Sequence, residues 1–210
     1  MNAGDVHVWR VYLNQGTSYV NTLFGELSPD EQQKAGNYRF CNDRNRFVAS
    51  RSMLRKILGG YLKCNSGQIL FSYNRYGKPF LKGNTLRFNV SHSRGIALFA
   101  VAHGRDVGID VEFVDPCVET MKTAQIAFSQ AEFIRLQTLE PDLRATEFFR
   151  NWTRNEAILK AVGTGFSYVE KPEKNRDWTL IDLPVDQDYK AAMAIQGEAG
   201  SIRYHQIGTE

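Results

Sequence analysis

A change of hydrophobic period near residue 68 constrains this chain more than any other feature. Upstream, Phe47, Leu54, Ile57 and Leu58 fall roughly on one helical face; from Gln68 onward the period becomes two. Ile69, Phe71 and Tyr73 alternate, and Asn74-Arg75-Tyr76-Gly77-Lys78-Pro79 makes a loop. Strand-like runs follow at Leu86, Phe88 and Val90, at Ile96 to His103, and at Val107 to Glu112. The links between them are too short for crossover helices, so the runs are expected to pair as antiparallel neighbours.

The flanking segments supply helices and further strands. Val6 to Leu13 alternates, with Trp9, Val11 and Leu13 on one side. Ser28-Pro29-Asp30-Glu31 carries a capping box with proline at the first helical position, so a helix starts there. A second helix is expected from about Asp43 to Leu58, stopped by Gly59-Gly60. Ser129-Gln130-Ala131-Glu132 repeats the capping-box spacing and opens a helix ending near Pro141. The next helix, about Leu143 to Val162, stops at Gly163-Thr164-Gly165. Trp178 to Leu183, Ala191 to Gln196 and Ile202 to Ile207 read as closing strands. Helices and strands recur in similar order from about residue 107, without a sequence repeat of fixed period.

Composition fits a globular chain of one large domain or two smaller ones: 210 residues, 42% hydrophobic, 23% charged. A net charge of +3 leans towards phosphate-bearing or acidic partners without requiring nucleic acid. Cys41, Cys64 and Cys117 are widely spaced and odd in number, as expected of free thiols in a reducing compartment. No signal peptide is expected, because the N-terminus shows no basic region followed by a long apolar run, and no membrane span, because no apolar run approaches ~18 residues. The sequons at Asn89-Val90-Ser91 and Asn151-Trp152-Thr153 are then expected to be chance matches.

Three carboxylates suggest chemistry. Asp110 and Glu112 lie two apart on a strand and share a face, with Ile109 and Val111 on the other. Glu156 lies on a helix one turn before Lys160. Brought together, the carboxylates would suit a hard divalent cation and a pyrophosphate. Taken singly, the same residues describe a wet strand face and a solvated ion pair. Ser91 and His92 could donate to a phosphate or simply make a turn. Lys78 is either a point-charge phosphate ligand or an exposed turn lysine. Arg39, Arg44, Arg46, Arg51, Arg55 and Lys56 could grip phosphates, bind nucleic acid, or form a charged solvent face.

The order of these stretches is more specific than any one of them. Gly77-Lys78-Pro79, Phe88-Asn89-Val90-Ser91-His92-Ser93, Gly108-Ile109-Asp110-Val111-Glu112, Phe128-Ser129 to Glu132, and Trp152 to Lys160 followed by Gly163 resemble the Sfp-type 4'-phosphopantetheinyl transferases. The resemblance extends upstream through Leu27-Ser28-Pro29-Asp30-Glu31 and Asp43-Arg44-Asn45-Arg46-Phe47, covering about residues 5 to 170.

The resemblance implies an α/β fold of α+β type. Two similar halves, 1–106 and 107–210, each a small mainly antiparallel sheet packed with helices, would be related by a pseudo-twofold axis. Coenzyme A and Mg²⁺ would lie in the cleft between them. It further implies transfer of the phosphopantetheine arm of coenzyme A to a serine of an acyl, peptidyl or aryl carrier protein, with release of 3',5'-ADP. Asp110, Glu112 and Glu156 match the family's metal ligands, and Glu156 and Lys160 its catalytic pair. Arg46, Lys78, Ser91, His92 and Arg51 match its coenzyme A contacts. One position departs: the residue before the helical glutamate, usually lysine, is Asn155 here. A cytoplasmic monomer is the natural expectation. The competing readings are a transferase-like protein with altered or lost activity, and a nucleic-acid-binding protein built on the basic helix.

Overall fold

The computed structural model describes residues 4–164 and 177–208, so Gly165 lies outside the described residues. In chain order the elements begin with strand β1 (Val6–Tyr12) and helices α1 (Thr17–Phe24), α2 (Pro29–Gly36) and α3 (Cys41–Leu62). A short 3₁₀ turn (Ser66–Gln68) leads into strands β2 (Ser72–Tyr73), β3 (Pro79–Phe80), β4 (Leu86–Ser93), β5 (Ile96–His103) and β6 (Val107–Phe113). Helices α4 (Thr120–Ala127), α5 (Gln130–Thr138) and α6 (Pro141–Val162) follow, then strands β7 (Trp178–Asp182), β8 (Tyr189–Gln196) and β9 (Ile202–Ile207).

The expected fold class holds: a mixed α/β chain with small, mainly antiparallel sheets. The first sheet runs β4-β5-β1-β9, the second β6-β8-β7, and β2-β3 form a separate hairpin. Among the described residues the named strands all pair antiparallel except β1 with β9, where Trp9 stands opposite His205.

Strand parity sorts side chains into layers. On β5, Ala97, Phe99 and Val101 face a core shared with α1, α2 and α3, while Ile96, Leu98, Ala100 and Ala102 face the second sheet. There they meet Val107, Ile109 and Val111 of β6 with Met193 and Ile195 of β8. The far side of the second sheet receives α6 through Ala157, Ala161, Ala192 and Ala194. Helices, sheet, sheet and helix thus form four layers, and β5 is apolar on both faces because both are covered.

Three local readings change. Gly59-Gly60 does not stop α3, which continues to Leu62 and ends at Lys63 in the left-handed region (φ 52). Gly59 serves close packing instead, since a Cβ there would lie 2.8 Å from the Cys64 carbonyl oxygen. The alternation at 69–73 yields only the two-residue β2, because the capped turn at Asn65–Gln68 occupies its start. Helices α1 and α4 carry no capping box, and so lack the signal that exposes α2 and α5.

Candidate active site

The site begins with a glycine. A Cβ on Gly108 would lie 2.0 Å from the Ala157 carbonyl oxygen and 2.3 Å from the Ala161 nitrogen, so only glycine lets α6 rest directly on β6. That contact brings Glu156 and Lys160 over the face of β6 that carries Asp110 and Glu112.

Asp110 is 1% exposed, which rules out a wet strand face. Lys160 Nζ donates to Asp110 Oδ1 at 2.5 Å and to Ser91 Oγ at 2.9 Å. Ser91 gives its one hydroxyl proton to Asp110 Oδ1 at 2.8 Å, so it is a partner of the carboxylate here rather than a free donor. Ser93 donates to Glu112 Oε2 at 2.9 Å. Asp110 Oδ2 is buried with no hydrogen-bond partner among the described residues, an arrangement that costs free energy unless something cationic completes it.

The electrostatics agree with a crowded acidic cluster. Burial, followed by the charges of Asp110 and Glu112, raises Glu156 to about 7, with Lys160 opposing. Burial and then Asp110 raise Glu112, opposed by Ser93 and Lys160. Among the described residues no three acidic, histidine or cysteine side chains form a ready-made metal cage. Magnesium characteristically keeps waters and takes one or two carboxylates plus substrate phosphate, so an open carboxylate set suits it better than a closed cage. The donor chemistry and the orphaned oxygen fit such a cation.

Cations gather beside the acids. Desolvation and then the charges of Lys160 and Arg46 lower His92, which places all three within electrostatic reach. Arg46 has no ion pair or hydrogen bond among the described residues. Lys78 sits elsewhere, at the C-terminal end of α6, donating to the Ala161 carbonyl at 3.0 Å and the Val107 carbonyl at 3.3 Å. Burial lowers it to about 8. It borders a cleft of about 470 Å³ with Asn74, Phe80, Phe88 and Asp106.

Arg51 is engaged away from these groups: its Nε lies 3.4 Å from Glu31 and its guanidinium stacks on Phe71. Arg55 is 1% exposed, pairs with Glu31 at 2.6 Å and donates to the Ser66 and Ile69 carbonyls. Lys56 faces Glu26, and Arg44 lies over Phe24. Glu31 is thus both helix cap and buried counter-ion, and much of the basic helix is internal structure rather than a phosphate-binding stripe.

Comparison with known proteins decides the family. The sequence model of the 4'-phosphopantetheinyl transferase superfamily matches residues 106–208, and that of the 4'-phosphopantetheinyl transferase N-terminal region matches 16–103. The 4'-phosphopantetheinyl transferase HetI of Nostoc sp. (strain PCC 7120) is 38% identical over 209 residues, covering 92% of this chain and 88% of that protein. The chain belongs to the 4'-phosphopantetheinyl transferase superfamily. The transferase is also 29% identical to a Xenopus laevis L-aminoadipate-semialdehyde dehydrogenase-phosphopantetheinyl transferase, with 85% and 70% of the two chains covered. It is 24% identical to the 4'-phosphopantetheinyl transferase Sfp of Bacillus subtilis, with 80% and 81% covered.

Sequence reasoning left Gly108, Asn89 and Ser93 of this transferase without roles. Glycine inside a strand was the available signal for the first. For the other two it was the period-two spacing of polar side chains along β4.

Proposed function

We propose that this chain moves the phosphopantetheine arm of coenzyme A onto a serine of an apo acyl, peptidyl or aryl carrier protein and releases 3',5'-ADP. The observation that carries this reading is the meeting of Asp110, Glu112, Glu156 and Lys160 where α6 crosses β6, with one buried carboxylate oxygen unpartnered. The carrier serine attacks the β-phosphorus, a new P–O bond forms, and the bond to the departing 3',5'-ADP phosphate breaks. Such a displacement needs positioning and charge neutralisation more than covalent help.

Glu156, raised to about 7 in the metal-free protein, would be held ionised beside a bound cation and so be able to accept the serine proton. Lys160 stabilises or protonates the leaving phosphate. Arg46 and His92 meet the phosphates of coenzyme A, with Lys78 adding positive charge from the far end of α6; Arg51 acts indirectly by fixing Glu31. Mg²⁺ would be held by Asp110, Glu112 and Glu156, and when bound it supplies charge neutralisation on the pyrophosphate. In this reading residues 1–106 mainly bind the coenzyme, 107–210 carry the acidic residues, and the enzyme acts as a cytoplasmic monomer. No helix among the described residues is long and apolar enough to cross a membrane.

The test is intact-mass spectrometry of apo acyl, peptidyl and aryl carrier proteins incubated with coenzyme A, Mg²⁺ and the protein. A phosphopantetheine adduct on at least one carrier is expected, abolished by EDTA, restored by excess Mg²⁺, and absent with Glu156→Gln. No adduct on any carrier, or full activity of Glu156→Gln, would sink the reading.

A further inference from the structure

Strands β4 and β6 are edges of different sheets, yet they lie side by side without backbone pairing. An edge that is buried must find partners for its outward amides. Three alternate side chains of β4 supply them: the amide of Ile109 donates to Asn89 Oδ1 at 2.9 Å, that of Val111 to Ser91 Oγ at 3.3 Å, and that of Phe113 to Ser93 Oγ at 3.1 Å. A period of two on one strand thus meets a period of two on the other.

The two serines do more than the asparagine. Each accepts from a β6 amide and donates its hydroxyl proton to the preceding carboxylate, Ser91 to Asp110 and Ser93 to Glu112. A serine hydroxyl has one proton and two lone pairs, so this use ties a carboxylate to the backbone beside it. Asn89 accepts the Ile109 amide, whose preceding residue, Gly108, has no side chain to hold. Among the described residues Ser93 is the hydrogen-bond donor to Glu112.

We propose that the alternate polar residues of β4 form a clamp in which Ser93 is a positioning residue for Glu112, while Asn89 only joins the sheets. The inference rests on the reading of Glu112 as a ligand of a divalent cation. Partners that orient metal-binding carboxylates typically change affinity or activity by about 10-fold to 100-fold when removed.

The experiment is calorimetric titration of Mn²⁺ into the full chain with coenzyme A present, beside melting temperature and kcat as a function of metal concentration. Ser93→Ala is expected to weaken Mn²⁺ binding about ten-fold, with kcat recovering at saturating metal, and Ser93→Thr, which keeps the hydroxyl, to restore affinity. Asn89→Ala is expected to lower the melting temperature while leaving Mn²⁺ affinity within about two-fold of wild type, below the loss that removing an orienting partner produces. Unchanged affinity in Ser93→Ala overturns the clamp, as does an equal loss of affinity in Asn89→Ala. Failure of the wild-type protein to bind Mn²⁺ overturns the cation reading and the clamp together.

Discussion

Glu156 carries a conflict between folding and function. Burial and two neighbouring carboxylates hold it at about 7, against an ordinary value of 4.5. The folded protein therefore binds a proton at this position between about pH 4.5 and 7 that the unfolded chain has released. Its contribution to stability is complete below 4.5 and is lost as pH rises through 7. Glu156→Gln keeps the neutral form at every pH. The metal-free variant should match wild type near pH 4 and melt a few degrees higher at pH 8, while losing transfer. Melting curves at the two pH values check this, and equal melting temperatures at pH 8 would show that Glu156 is not strained. Part of this conflict was legible in the sequence: two-residue spacing put Asp110 and Glu112 on one face, and helical spacing put Glu156 beside Lys160. The depth of Asp110 was not legible, because it depends on which helix covers the strand.

At the scale of elements, the site exists because α6 approaches β6 closely enough for backbone to touch backbone. Gly108 opposite Ala157 and Ala161 makes that possible, and Ala192 and Ala194 of β8 extend the flat seat. Gly108→Ala inserts a methyl where a carbonyl oxygen already lies 2.0 Å away, and neither atom belongs to a flexible side chain. The helix must move out, which should cost about 1–3 kcal/mol as an overpacked contact and carry Lys160 away from Asp110. Urea denaturation should show the stability loss, and transfer should fall by more than ten-fold even where the variant remains folded. A folded variant with wild-type transfer would mean that the helix need not sit so close. Sequence spacing placed Gly108 within a strand but gave no partner for it. In the same way it took Gly59 for a helix stop, since a glycine required by an approaching backbone looks locally like one required by a turn.

Across the whole molecule, the chain closes through β9, which leaves the second sheet behind and pairs in parallel with β1. The alternation of residues 202–207 marked a strand, but a pairing between the two ends of the chain leaves no local signature, so its destination was not legible. The closure is fastened by a cluster with an acid-sensitive member. Tyr61 of α3 accepts from Trp9 Nε1 at 2.9 Å and bonds His7 Nδ1 at 2.6 Å, while His205 stacks on Trp9 with ring centroids 4.2 Å apart. His7 Nε2 and His205 Nε2 are both buried and have no hydrogen-bond partner among the described residues. Desolvation, then the charges of His205 and Arg203, lower His7 below 6.5, with Asp5 opposing. The unfolded chain thus takes up a proton first as pH falls, so the His7 contribution is intact above 6.5 and is lost below it. From pH 6.5 to 5.5 wild type should lose stability relative to His7→Gln, whose amide oxygen can still accept from Tyr61; the Glu156 contribution, which runs the other way, is common to both proteins. Thermal melts at pH 7.5, 6.5 and 5.5 read this difference, and hydrogen exchange at pH 5.5 should show β9 opening before β5. Parallel pH profiles for the two proteins would assign the acid sensitivity elsewhere, to groups that do not hold the two ends of the chain together.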